Sequence, residues 1–168
     1  TQPILKLHFP RWVPGSYFLR EPIQHMTEFV AVDDAGVELN SFRYEVDAMK
    51  IKVPKNIKSI SISYKLLATE LSCRSNHLDS THVHIMPPFT WFLPTAGIDL
   101  ERMNQNHSIS LHTPSSWSAA TQYKLESSNS CKGLLTGNDG TTYLFSAPNR
   151  DQLLDGIIEA NENENICW

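Results

Sequence analysis

The stretch Ile57-Lys58-Ser59-Ile60-Ser61-Ile62-Ser63-Tyr64-Lys65-Leu66-Leu67 decides the fold class. Ile60, Ile62 and Tyr64 fall on one side of an extended chain; Ser59, Ser61, Ser63 and Lys65 fall on the other. Successive side chains of a strand point to opposite faces, so a period of two marks a half-buried β-strand. The same reading extends outward to Ile4–Phe9, Arg43–Val46, Met49–Val53, Ser108–His112 and Thr141–Phe145. Turn signals separate these runs: Asp34-Ala35-Gly36, Pro54-Lys55-Asn56, Thr113-Pro114-Ser115-Ser116 and Gly137-Asn138-Asp139-Gly140. Helical periodicity is scarce. Asn149 is placed to cap a short helix over Arg150–Leu154, and Gly156 to stop it. The pattern predicts an all-β, sandwich-like antiparallel domain with one short helix near the C-terminus.

Composition removes several classes. The 168 residues are 40% hydrophobic and 10% aromatic, which suits a packed core rather than disorder. The net charge is −4 and the pI about 5.9, so clustered cations for a phosphate backbone are lacking and no nucleic-acid partner is expected. No apolar run approaches the roughly 20 residues of a membrane span, and no membrane partner is expected. The cysteines are Cys73, Cys131 and Cys167, an odd count without a Cys-x-x-Cys pair. They read as reduced thiols, with one disulfide plus a free thiol as the alternative. Few cysteines and an acidic pI fit a bacterial cytoplasm, with the periplasm as alternative. The acidic, Asn-rich stretch 155–165 ends in Ile166-Cys167-Trp168, and this apolar end suggests that the chain continues in nature.

Three constellations could carry chemistry. The first is His77, Asp79, His82 and His84, in a long polar loop from Leu71 to Pro88. Imidazole and carboxylate bind zinc, and His82 and His84 share a face if their segment is a strand. Their spacing matches no known ligand motif, so the reading kept is hydrogen-bonding loop residues and no metal on this chain. The second is a nucleophile triad, but no Gly-x-Ser-x-Gly elbow is present. The third is sugar stacking by Trp12, Tyr17, Trp91, Phe92 and Trp117; in a sandwich such aromatics are more often core. There is no His-Glu-x-x-His either.

The segment Pro10-Arg11-Trp12-Val13-Pro14-Gly15-Ser16-Tyr17-Phe18-Leu19-Arg20-Glu21 is highly distinctive. It resembles the Pro-x-Trp-x-Pro-Gly-Ser-Tyr-x-x-Arg segment in the N-terminal domain of the glycyl aminopeptidase family, family sixty-one of the zinc metallopeptidases. Further likenesses follow in the same order. They are Ser63–Arg74 (Tyr-x-x-x-Ala-x-x-Leu-Ser-x-Arg), Leu78–His82 (Asp-x-Thr-His), Thr113–Trp117 (Pro-x-x-Trp) and Asp151–Asp155 (Asp-Glu-Leu-Val-Asp). Together they span about Pro10 to Ala160. Two departures stand out. Met86-Pro87-Pro88-Phe89-Thr90 replaces the family's Asn-Gly-x-Ser, and the strand before the first motif is short.

The resemblance implies a β-rich domain over residues 1–148. Residues 149–168 would then hold the short helix and the start of a connection to a missing catalytic domain. It implies a non-catalytic N-terminal domain of a zinc-dependent aminopeptidase, usually followed by a PDZ domain. This domain would pack on its own catalytic domain and line part of the substrate cleft. No catalytic residue and no cofactor are expected on this chain; zinc belongs to the catalytic domain, and the peptide substrate reaches the parent. Arg20, Arg74, Asp79 and His82 occupy matching positions and are the candidates for the cleft or the domain interface. For each arginine, bidentate bonds that tie loops together are the simpler role. Trp12 and Tyr17 read as core anchors holding the Pro14-Gly15 turn, so that Trp12→Ala would cost roughly 3–5 kcal/mol. Two rivals remain: a stand-alone sandwich module binding sugar or peptide in an aromatic groove, and a self-contained metal hydrolase built on the histidine loop.

Overall fold

The computed structural model of the chain describes residues 3–12, 17–96, 105–132 and 139–162. The chain divides into two compact units, residues 1–67 with 88–99, and residues 68–87 with 100–168.

The first unit holds β1 (Ile4–His8), β2 (Met26–Asp33), β3 (Ser41–Glu45), β4 (Ala48–Lys52), β5 (Ile60–Leu66) and β8 (Leu93–Ala96). Four of these form an antiparallel sheet in the order β3-β4-β1-β8, and β2 pairs with β5 as a separate ribbon. Strand β5 behaves as its period of two requires. Ile60, Ile62 and Tyr64 are half-buried, while Ser61, Ser63 and Lys65 are exposed. Ile60 and Ile62 pack on a core of Leu7, Ala31, Leu39 and Ile51, drawn from the sheet, the ribbon and the segment joining them. Beside it Phe9, Ile23 and Met49 are buried against Met26, Phe29, Tyr64, Leu66 and Phe92. Phe9 stacks on Phe92 at 4.0 Å between ring centroids and meets Tyr64 edge-on at 6.1 Å. Such aromatic pairs each add about 0.5–1.5 kcal/mol beyond their buried area.

Two turns follow the local chemistry read from the sequence. Asp33 Oδ1 accepts hydrogen bonds from the N–H groups of Ala35 and Val37, both at 2.9 Å, and Gly36 takes φ 79°. This left-handed conformation is open to glycine at no steric cost. Asn56 turns the chain after Pro54 at φ 73°, and Asn tolerates that region better than most residues.

The second unit holds β6 (His77–Leu78), β7 (His82–Ile85), β9 (His107–Pro114), β10 (Ser118–Thr121), β11 (Lys124–Lys132), β12 (Asp139–Ala147), α1 (Arg150–Asp155) and β13 (Ile158–Asn161). Its sheets run β10-β13-β7-β6 and β11-β12-β9, again antiparallel. Helix α1 forms where the sequence places it. The Asn149 side chain accepts the Gln152 N–H at 2.9 Å, and Gly156 is the C-cap. Gly156 is required for a second reason. A Cβ there would lie 2.0 Å from Cε1 of Tyr123, whose hydroxyl donates to the Leu153 carbonyl at 2.5 Å. The all-β, sandwich-like expectation with one short C-terminal helix therefore holds.

Several strands were invisible to periodicity. The Leu71–Pro88 stretch, read as a loop, contains β6 and β7. Residues 149–168, read as a helix and a connection, also contain β13, which has a strand on either side. In β2 the register shifts between Thr27 and Val30, with Glu28 at φ 53°. This bulge puts Met26, then Phe29 and Ala31, toward the core, so no strict alternation survives. Strand β11 carries Glu126-Ser127-Ser128-Asn129-Ser130, polar on both faces, and sits at a sheet edge where polar residues discourage further pairing.

Phe9→Ala should cost the first unit roughly 3–5 kcal/mol in urea unfolding, since Phe9 is fully buried against the rings of Tyr64 and Phe92. Burial pushes the Tyr64 phenol up from 10.0 to about 12. Its folded value lies above its unfolded one, so the stability it contributes is complete below pH 10 and is lost as pH rises toward 12. Phenolate absorbance of the native chain should accordingly lag that of the urea-unfolded chain across this window.

Candidate functional site

The β6–β7 hairpin turns through Asp79-Ser80-Thr81, and Asp79 organises the turn. Its Oδ1 accepts the Thr81 N–H and the Thr81 hydroxyl, each at 2.7 Å, and the His82 N–H at 2.9 Å. Its own N–H donates to the His82 carbonyl at 3.1 Å. The bond from the Thr81 hydroxyl, then those from the two N–H groups and from His77, hold the Asp79 carboxyl well below the usual carboxylate range. The other oxygen, Oδ2, lies 3.2 Å from His77 Nε2. His82 Nδ1 lies 3.3 Å from Oδ1 and 3.2 Å from the Thr81 hydroxyl.

Strand register assembles the rest. His77 on β6 is directly opposite His84 on β7, and His84 is directly opposite Glu159 on β13. Residues directly opposite each other share a face, and so do residues two apart on one strand. His77, His82, His84 and Glu159 therefore project from the same face of the sheet. His84 Nδ1 hydrogen-bonds the Glu159 carboxylate, and the His77 and His82 rings lie 4.8 Å apart between centroids. Cys73, His77, His82, His84 and Glu159 border one hollow of about 290 Å³. His77 is nearly closed off, with its side chain 11% exposed, against 30% for His82 and 44% for Asp79.

Three of the four positions of the histidine loop are thus brought together: His77, Asp79 and His82 place one donor atom each within 4.8 Å of one another. Asp79 and His82, both among the interface candidates, bond each other. Arg20 belongs to the first unit and Arg74 to the second. The Arg20 N–H donates to the Arg11 carbonyl at 2.9 Å and closes the motif loop, while Arg74 is exposed with its N–H on the Ser72 hydroxyl at 3.2 Å. Among the described residues neither guanidinium makes the bidentate bond expected of it, and the Arg20 Nε is buried without a partner.

The core-anchor reading of Trp12 and Tyr17 is corrected. Trp12 is 57% exposed and Tyr17 98%. Phe18 and Leu19 are exposed as well, so this loop presents apolar side chains to solvent. Pro14 and Gly15 lie outside the described residues. The five aromatics weighed for sugar stacking do not behave alike. Trp117 is 7% exposed and Phe92 packs in the first unit's core.

A family model described as the peptidase M61 N-terminal domain matches residues 1–161. The chain belongs to this family. A solved structure described as an aminopeptidase N family protein from Idiomarina loihiensis has a TM-score of 0.75 and 22% sequence identity with it. The match covers 94% of this chain and 24% of that one, so this M61 N-terminal domain spans about a quarter of that protein's length. At this identity the likeness is one of fold. No curated protein matches the chain.

With Trp12 exposed, Trp12→Ala should move the urea midpoint of this M61 domain by far less than a core aromatic would. The expected change is about 0.5 kcal/mol, as for surface substitutions. A loss near the roughly 3–5 kcal/mol of a buried ring would restore the core-anchor reading.

Proposed function

We propose that this M61 domain is the non-catalytic N-terminal part of a zinc-dependent aminopeptidase, and that it packs on its own catalytic domain beside the substrate cleft. The observation that carries the reading is the family match across nearly the whole chain. The fold likeness to one quarter of a longer chain described as an aminopeptidase N family protein supports it. Zinc in such an enzyme activates water as a Lewis acid. Its ligands would sit on the catalytic domain, since this chain has no His-Glu-x-x-His. The resemblance to glycyl aminopeptidases extends the proposal to a PDZ-containing parent and a peptide substrate; the few cysteines and acidic pI suit a cytoplasmic setting, with the periplasm as alternative.

The exposed side chains of Trp12, Tyr17, Phe18 and Leu19 supply the contact in this reading. Apolar groups gathered on one loop cost solubility unless they are covered, and aromatic anchors carry much of the energy of protein interfaces. The coding sequence after Trp168 provides the test. A His-Glu-x-x-His in frame, activity on N-terminal residues in the extended protein and none in the 168-residue chain are the expected results. Replacing Trp12, Tyr17 and Phe18 together with alanine should weaken docking of the separately produced catalytic part by roughly 10-fold or more. A stop codon shortly after Trp168, or docking indifferent to the triple substitution, would overturn the proposal.

A further inference from the structure

We propose that His77, Asp79 and His82 form a binding site for a divalent transition metal of the zinc type on the second unit, separate from any metal of a catalytic domain. Three observations carry it. The first is donor spacing. Zinc bonds of about 2.1 Å to nitrogen and oxygen in a tetrahedron set donors roughly 3.4 Å apart. The Asp79 oxygen left to a metal, Oδ2, lies 3.2 Å from His77 Nε2. All three residues keep a donor within 4.8 Å of the others, so small side-chain rotations close the set.

The second observation is the division of labour within Asp79. Oδ1 is occupied by three hydrogen bonds that fix the turn, so the carboxylate is held in place without using Oδ2. Among the described residues Oδ2 meets only His77 Nε2. An ion held by all three residues replaces the His77–Asp79 hydrogen bond and the contacts of His82 Nδ1 with Asp79 Oδ1 and the Thr81 hydroxyl, and His77 binds as neutral imidazole with its proton on Nδ1. Among the described residues the buried Nδ1 has no donor opposite it, and the bond that holds the proton on Nε2 is the one to Asp79 Oδ2 that the ion displaces.

The third is the hollow. His77 and His82 open onto the same 290 Å³ space as Cys73, His84 and Glu159. Two of the three ligands, His77 and His82, border this space, and a set of three protein ligands leaves a fourth position for water or an anionic oxygen. An N,N,O set of this kind selects Zn²⁺, Co²⁺, Ni²⁺ or Cu²⁺ over Mg²⁺ and Ca²⁺, which take oxygen shells. The neighbouring His84, whose Nδ1 hydrogen-bonds the Glu159 carboxylate, lies outside the three donors that fall within 4.8 Å of one another and borders the same hollow.

The test is Co²⁺ titration of the metal-stripped 168-residue chain, read by visible absorption. One equivalent should bind with the intense bands of a four-coordinate ion, and Zn²⁺ should displace it while Mg²⁺ does not. His82→Ala and Asp79→Asn should each weaken binding at least as much as the roughly 100-fold upper range for losing an outer-shell partner. His112→Ala, at an exposed histidine outside the cluster, should leave binding unchanged. His82 is partly exposed, and Asp79→Asn keeps the acceptor for the turn, so both variants should melt close to the parent without metal; the melts accompany the titration. Failure of the folded parent chain to bind Co²⁺, or binding unaffected by both substitutions, would sink the proposal. The readout is metal uptake by this chain alone, so its outcome is independent of whether a catalytic domain follows.

Discussion

A strand that alternates apolar and polar residues has one face that must leave water. In the first unit this requirement sets the architecture. Leu7 and Ile51 reach the same core from neighbouring strands of the four-stranded sheet, and Ala31 and Ile62 reach it from the ribbon. The rings of Phe9, Phe29, Tyr64 and Phe92 fill the space beside them. A ribbon of two strands is marginal by itself in water, so β2 and β5 depend on this packing as much as on their own hydrogen bonds.

The second unit depends on pairing as well as on covering. Strand β7 has four residues and β6 two, lengths that would not persist alone. They hold because β13, some seventy residues later in the chain, pairs with β7 along its whole length. That pairing also brings Glu159 to His84, and with it the acidic partner of the histidine cluster. The turn at Asp79 contributes local order from the other end. The same carboxylate that shapes the hairpin faces two imidazoles, so a structural role and a binding role meet in one side chain.

Much of the fold was legible in the chain. Strand β5, the Asp33–Gly36 turn and the Asn149 cap all follow from short-range rules, because each rests on residues within a few positions of one another. Strand β2 was hidden by its bulge, β11 by its polar edge position, and β6, β7 and β13 by their shortness. The site was legible only as composition. His77, Asp79, His82 and His84 were singled out, yet their use depends on a hairpin and on a distant strand. Trp12 and Tyr17 illustrate the opposite error. Their distinctive motif reads as a core anchor, whereas hydrophobicity alone does not say which side of the surface a ring occupies.

The amino-acid sequence by itself determined the all-β class, the position of helix α1 and the membership of the M61 N-terminal domain family. Each of these is carried by local periodicity, capping chemistry or motif order. Only the tertiary structure decided that β13 completes the sheet beside β7, that three ligand-type side chains converge, and that the motif loop shows its aromatics to solvent. Strand pairing and burial are relations between residues far apart in the chain, and alternation along one segment carries no information about its partner.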